Sequence, residues 1–462
     1  MFKEWIFNFY FLFTFFDLTK SFVCPQLNST QTTKNNLDEI TDKLPGLNFK
    51  LNFKHYSGYL QVSDTRFLHY VLVTSKSNPD KAPVVFWFNG GPGASSLLGL
   101  FFESGPYLVN NDGTKLVENV HSWNKYAHKV FLETPAGTGF SYVTDGNYTN
   151  NDDQITQENY KAIQVFYEKF PNLRCNGLYI AGSSFAGHYT SMLASTIVNN
   201  QKNYQINLKG LLIGNGLVNI ETSMESDILY PYFHGFVEER EMKNFINKCC
   251  KGNLETCNIV DVYTDNNKTD CQDTMDNFAN SISNANVNVY NIYSVLQRCD
   301  NKLTKIGKDF DPSPTACITE DARNNYMNNP KLLKALHIPI ERNFTWRIGS
   351  DKVRQNYETT QDDMSPFITN VLNAKVPVLL YFGEADSVLS FISGQRFCER
   401  LGRRIKTPKT PWVFDKQTAG MKTEYEGGLT FITVFGAGHA VNGGAPERSL
   451  YFFKQMLDNK PI

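Results

Sequence analysis

The sequence predicts an α/β protein, with helices on both faces of an open, mostly parallel sheet. Short runs rich in β-branched and aromatic residues recur along it, each continuously apolar rather than alternating, as a strand covered on both faces requires. Each run leads into a glycine-containing turn, and helical periodicity fills intervals such as Gln157–Phe170 and His188–Asn199.

Val84–Phe88 leads to Asn89-Gly-Gly-Pro-Gly93, and Lys129–Leu132 leads to Glu133-Thr-Pro-Ala-Gly137. Gly177–Ile180 runs into Ala181-Gly-Ser-Ser-Phe-Ala-Gly187, and Leu208–Ile213 into Gly214-Asn-Gly216. After a long interval come Val376–Phe382 and Leu429–Phe435. The interval itself, residues 218–364, lacks such strands and carries a cysteine cluster and Asn-rich stretches. It is expected to be a cap inserted between a first core part, 23–217, and a second, 365–462, over the strand ends where ligands bind in such sheets.

The chain begins with Lys3 and then an apolar run, Trp5–Phe16, broken only by Asn8 and Thr14. Twelve residues fall short of the roughly 20 that span a bilayer. Residues 1–22 therefore read as a secretory signal peptide, with a short membrane anchor as the alternative. A secreted or lysosomal destination fits four glycosylation sequons, at Asn28, Asn147, Asn267 and Asn343. It also fits the cysteine group Cys249, Cys250, Cys257 and Cys271, which has no histidine at ligand spacing and so favours disulfides over zinc. Adjacent Cys249 and Cys250 would be strained if bridged to each other, so their partners are sought at Cys257 and Cys271. With 45 Lys+Arg against 46 Asp+Glu, no global basic field exists to hold a nucleic acid.

Three strand-end turns present a serine, an acid and an imidazole in that order. Ser184 sits between Gly182 and Ala186 on a strand-to-helix turn, the layout of a nucleophile elbow, where flanking bulk would strike the adjoining strands. Asp386 follows one later strand and His439 the other. Such an acid holds the imidazole tautomer, while the histidine takes the serine proton and returns it to the leaving group. The chain order is that of an α/β-hydrolase fold. The Asn89–Gly93 turn offers backbone N–H groups, since Gly90 and Gly91 allow close approach, and Phe185 N–H supplies a second source for an oxyanion hole. The turn lacks the lysine and Ser/Thr of a phosphate-binding loop.

With these residues in place, the chain resembles the serine carboxypeptidase family. The matching stretches include Tyr56-Ser-Gly-Tyr-Leu60, Trp87-Phe-Asn-Gly-Gly-Pro-Gly93, Ser122-Trp-Asn124, Glu133–Tyr142, Gly182–Gly187, Gly214-Asn-Gly-Leu217, Tyr326–Pro330 and Gly436-Ala-Gly-His439, in family order over about Leu47 to Phe453. The resemblance implies that Ser184, Asp386 and His439 form a triad and that Gly91 and Phe185 form the oxyanion hole. It further implies that Asn89, Gly90 and Glu103 bind the free C-terminal carboxylate of a peptide substrate, with Trp87 nearby, and that no cofactor or metal is used. No nucleic-acid partner or stable membrane anchor is expected, and a homodimer is left open.

The chain departs from the family pattern in several places. Ser183 replaces a glutamate that would pair with Glu103, so Glu103 is expected to ionise at lower pH than in such a pair. Ala440 and Asn442 replace a methionine and a proline, and Ala94 replaces a cysteine whose usual partner matches Cys317. Disulfides are expected at Cys249–Cys271 and Cys250–Cys257, nested, and, from these departures, at Cys299–Cys317. The expected activity is release of a C-terminal amino acid through an acyl-enzyme. An acyltransferase or esterase on the same fold is one alternative, and a protective binding partner with an idle triad is another.

Overall fold

The computed structural model describes residues 22, 24, 37–254, 256–293 and 319–462. Most of the expected signal peptide, the Asn28 sequon and the Cys299–Cys317 pair lie outside the described residues. The core is an eleven-stranded sheet. Its main strands are β1 (His55–Gln61), β2 (Arg66–Val73), β3 (Val84–Phe88), β4 (His128–Leu132), β5 (Leu178–Ser184), β6 (Leu208–Gly216), β7 (Val378–Gly383), β8 (Ile405–Phe414), β9 (Gln417–Tyr425) and β10 (Leu429–Val434). They lie in the order β1-β2-β4-β3-β5-β6-β7-β10-β9-β8, and the short Tyr142–Val143 strand pairs with β2.

The six central strands are parallel, and β1–β2 and β9–β8 add antiparallel edges. Both faces are covered, which explains the continuous apolar runs. Along β3, Val84, Phe86 and Phe88 enter one core while Val85 and Trp87 enter the other. The first core is closed by α1 (Asp152–Lys169) and α2 (Ala186–Asn199), through residues such as Ile163, Phe166, Tyr189 and Leu193. Asn151 caps α1, accepting from Gln154 N at 2.8 Å, and two aspartates in the first turn complement the helix dipole. The opposite core takes Leu450, Phe452 and Phe453 from the C-terminal helix, Pro446–Leu457.

The edge hairpins were not expected from apolar runs. β8 shows why: nearly all its residues are exposed or half-exposed, so it carries no continuous apolar signal.

The inserted segment has two parts. Helices α3 (Ile220–Phe233), α4 (Glu239–Cys249), α5 (Ile259–Thr264) and α6 (Thr269–Asn284) enclose their own small core of Ile228, Met242, Phe245, Val262, Met275 and Phe278. Cys249–Cys271 and Cys250–Cys257 staple it, in the nested pairing expected. Residues 319–364 instead return to the hydrolase core, where Tyr326, Met327, Leu332 and Trp346 are buried in the same core as Val85 and Trp87. A third disulfide, Cys24–Cys175, closes a separation of 151 residues and was not anticipated. Among the described residues Cys398 is a free, buried thiol. No helix among them is long and apolar enough to cross a membrane.

Candidate active site

Parallel strands deliver the loops after β3, β5, β6, β7 and β10 to one end of the sheet. Ser184 closes β5 at φ 64, a left-handed conformation costly for any residue but glycine, and α2 starts two residues later. Its neighbours are small of necessity. A Cβ on Gly182 would lie 2.9 Å from Phe88 O, Ala186 Cβ and Thr190 Cγ2, and one on Gly187 would lie 2.4 Å from Leu217 O. The half-buried Ser184 therefore sits at the positive end of α2.

The Gly-rich turn abuts the same point, since a Cβ on Gly90 would fall 2.3 Å from Phe185 N. Gly91, at φ 112, follows. The turn is braced by the returning segment, with Ser95 N donating to Ile348 O at 2.9 Å and Ser350 N to Gly93 O at 3.0 Å.

The acid and imidazole loops after β7 and β10 are in contact, Ala385 N donating to Ala437 O at 2.9 Å. His439 Nδ1 lies 2.7 Å from Asp386 Oδ2. Asp386 is fully buried. Its oxygens accept from Val388 N at 3.0 Å, Leu389 N at 3.3 Å and Asn215 Nδ2 at 2.7 Å. Burial pulls the His439 pKa down, but the Asp386 charge and hydrogen bond outweigh it and leave it raised above 6.5. The cap reaches both loops: Ser387 N donates to Val289 O at 3.0 Å and His439 N to Tyr290 O at 2.8 Å.

A buried polar chain lies beside the turn. Trp87 Nε1 donates to Asn89 Oδ1 at 2.8 Å, and Asn89 Nδ2 donates to Glu103 Oε1 at 3.0 Å. Gly99 N donates to Asn89 Oδ1 at 3.2 Å, which fixes the amide's orientation, and the Asn89 backbone N donates to Ser96 Oγ at 3.1 Å. Ser183 is buried on β5 next to Ser184. Burial raises the Glu103 pKa, against the hydrogen bond from Asn89 and the charges of Lys129, His439 and Arg323. Losing a second carboxyl at position 183 thus does not leave Glu103 an ordinary surface acid. Desolvation shifts its balance toward the neutral form.

Two residues of this region escaped sequence reasoning. Asn215 lies in the Gly214-Asn-Gly216 turn, where an amide between glycines at a strand end was the available signal. Lys129 lies inside an apolar strand run, where nothing local marks it. Among the described residues no group of three or more His, Cys, Asp or Glu side chains is placed to hold a metal ion.

The family model for serine carboxypeptidases matches residues 45–459. The chain is 33% identical over 459 residues to the lysosomal protective protein of Mus musculus, covering 92% of this chain and 94% of that protein. It is 34% identical over 450 residues to a serine carboxypeptidase of Caenorhabditis elegans, covering 92% and 93%. In fold it matches the prohormone-processing carboxypeptidase Kex1 of Saccharomyces cerevisiae with a TM-score of 0.74 at 20% identity, over 92% of this chain and 96% of that one. By the family model over residues 45–459 and the two relatives 33–34% identical over 92% of this chain, the chain belongs to the serine carboxypeptidase family.

Proposed function

We propose that this protein removes the C-terminal residue of peptides with Ser184, Asp386 and His439 as its catalytic triad. The observation that carries the reading is the 2.7 Å His439–Asp386 pair, set two and three strands from the left-handed Ser184 turn at one end of the sheet. Ser184 Oγ attacks the last peptide carbonyl as His439 Nε2 takes its proton, and Asp386 stabilises the imidazolium. The N–H groups of Gly91 and Phe185 donate to the oxyanion. His439 then protonates the departing amine as the C–N bond breaks. Water, deprotonated by the same histidine, releases the acyl group and restores Ser184.

Asn89, Gly90 and Glu103 receive the terminal carboxylate, flanked by Trp87 and Ser183. A protonated Glu103 can donate to that carboxylate, a role supported by its burial. No cofactor or metal takes part in this scheme. We also place the protein in the secretory pathway, secreted or lysosomal, with Asn147, Asn267 and Asn343, all exposed, as glycosylation sites.

The test is release of free amino acid from a blocked dipeptide by the wild type and by Ser184→Ala, Asp386→Asn and His439→Ala. Each substitution should lower kcat on the order of 10⁴-fold or more with the fold retained. A Ser184→Ala protein that cleaves at near wild-type rate removes the assignment. Transfer to alcohols with no hydrolysis of free-acid peptides would make the protein an acyltransferase.

A further inference from the structure

The fully buried Lys129 has no part in the triad. On β4, Val130 and Leu132 enter one core and Phe131 the other, and strand alternation puts Lys129 on the Phe131 side, which Trp87 shares. Its Nζ lies 4.2 Å from the Trp87 ring centroid, 4.5 Å from Trp123 and 4.8 Å from Phe131. It also donates to Ser104 Oγ. Among the described residues it has no carboxylate within ion-pair distance.

A buried ammonium is costly, and packing alone would be served as well by a methionine of similar length. The aromatic faces repay part of that cost, because each presents negative charge to the cation. The rest of the arrangement joins Lys129 to the proposed carboxylate site from two sides. The Trp87 ring that faces it donates through Nε1 to Asn89, and Asn89 donates to Glu103. Ser104, its hydrogen-bond partner, directly follows Glu103. The contacts form a closed loop through Lys129, Trp87, Asn89, Glu103 and Ser104.

We propose that Lys129 is a positioning residue for terminal-carboxylate recognition: through Ser104 and the Trp87 ring it braces this loop from behind, and so holds Asn89 and Glu103 in place for an arriving carboxylate. The inference rests on the carboxylate-binding reading of Asn89 and Glu103. Burial pulls the Lys129 pKa well below its ordinary range while the Glu103 charge pulls it back, so the brace does not depend on a permanent charge.

The experiment measures equilibrium binding by calorimetry in the Ser184→Ala protein, which does not consume the ligand. The probes are a blocked dipeptide and its C-terminal amide. Lys129→Met should weaken free-acid binding roughly tenfold and leave the amide unchanged. In a Glu103→Gln background the same substitution should cost much less, because the carboxyl it positions is gone. Its melting temperature should not fall, and Lys129→Gln, neutral but able to bond Ser104, serves as a second neutral variant. An unchanged acid-to-amide ratio, or equal losses for both probes, overturns the inference, and so does failure of both variants to fold. If the unsubstituted Ser184→Ala protein itself binds acid and amide alike, the carboxylate-site reading fails first, and independently of Lys129.

Discussion

Asn215 Nδ2 donates at 2.7 Å to the Asp386 oxygen that also holds His439 Nδ1. The same amide donates to Leu389 O at 3.1 Å and accepts from Gly383 N at 2.9 Å, so Asn215 ties the ends of β6 and β7 together around the acid. Asn215→Gly tolerates the backbone there, φ 37, while deleting all three bonds. A hydrogen bond to a buried charge is worth about 1.5 to 3 kcal/mol, so kcat should fall on the order of 10- to 100-fold with KM little changed. Wild-type kcat in this variant would show that Asp386 and its own loop orient His439 unaided.

Gly90→Ala should lower kcat on the order of 10²- to 10³-fold, the usual cost of losing one oxyanion donor. The added methyl carbon would meet Phe185 N at 2.3 Å and Ala186 N at 2.8 Å, so the turn or the helix start must move. A thermal melt checks that the damage stays local. Full activity would place the oxyanion elsewhere.

Preference for a free acid over its amide should decline as pH rises. Burial raises the Glu103 pKa above its ordinary value, so its neutral, donating form persists to higher pH than for an exposed glutamate and is lost as pH passes that raised value. Ser183→Glu adds a like charge, raises the value further and should extend the preference toward neutral pH. The measurement is kcat/KM for acid and amide from about pH 4 to about pH 8. If the glutamate variant gains no preference at any pH, position 183 has no role in carboxylate recognition.

Non-reducing peptide mapping should recover Cys24–Cys175, Cys249–Cys271 and Cys250–Cys257. On the loop-entropy scale the first, with its separation of 151 residues, contributes about 5 kcal/mol, more than either cap staple. Cys175→Ala should therefore lower thermal stability more than Cys257→Ala. Free thiols at Cys24 and Cys175 would refute the pairing.

The α/β class and the strand-end placement of Ser184, Asp386 and His439 were legible in the sequence. Each follows a continuously apolar strand and sits in a short turn whose residue types state their purpose locally. Parallel strands then leave those turns no choice but one end of the sheet. The nested cap disulfides were legible for a similar reason, since four cysteines close in sequence offer few unstrained pairings.

Tertiary structure alone decided what depends on residues far apart in the chain. The β8 edge strand is exposed or half-exposed along nearly its whole length and so lacks an apolar signature. Cys24 meets Cys175 across the fold, and residues 319–364 leave the cap to brace the Gly90–Gly93 turn. Asn215 reaches Asp386 only because β6 and β7 are neighbours. Lys129 reads as one polar break in a strand until β4 and β3 pair, register Phe131 with Trp87, and close three aromatic rings around its ammonium. A charge in such a place is decided by the packing around it, and no local pattern can specify that.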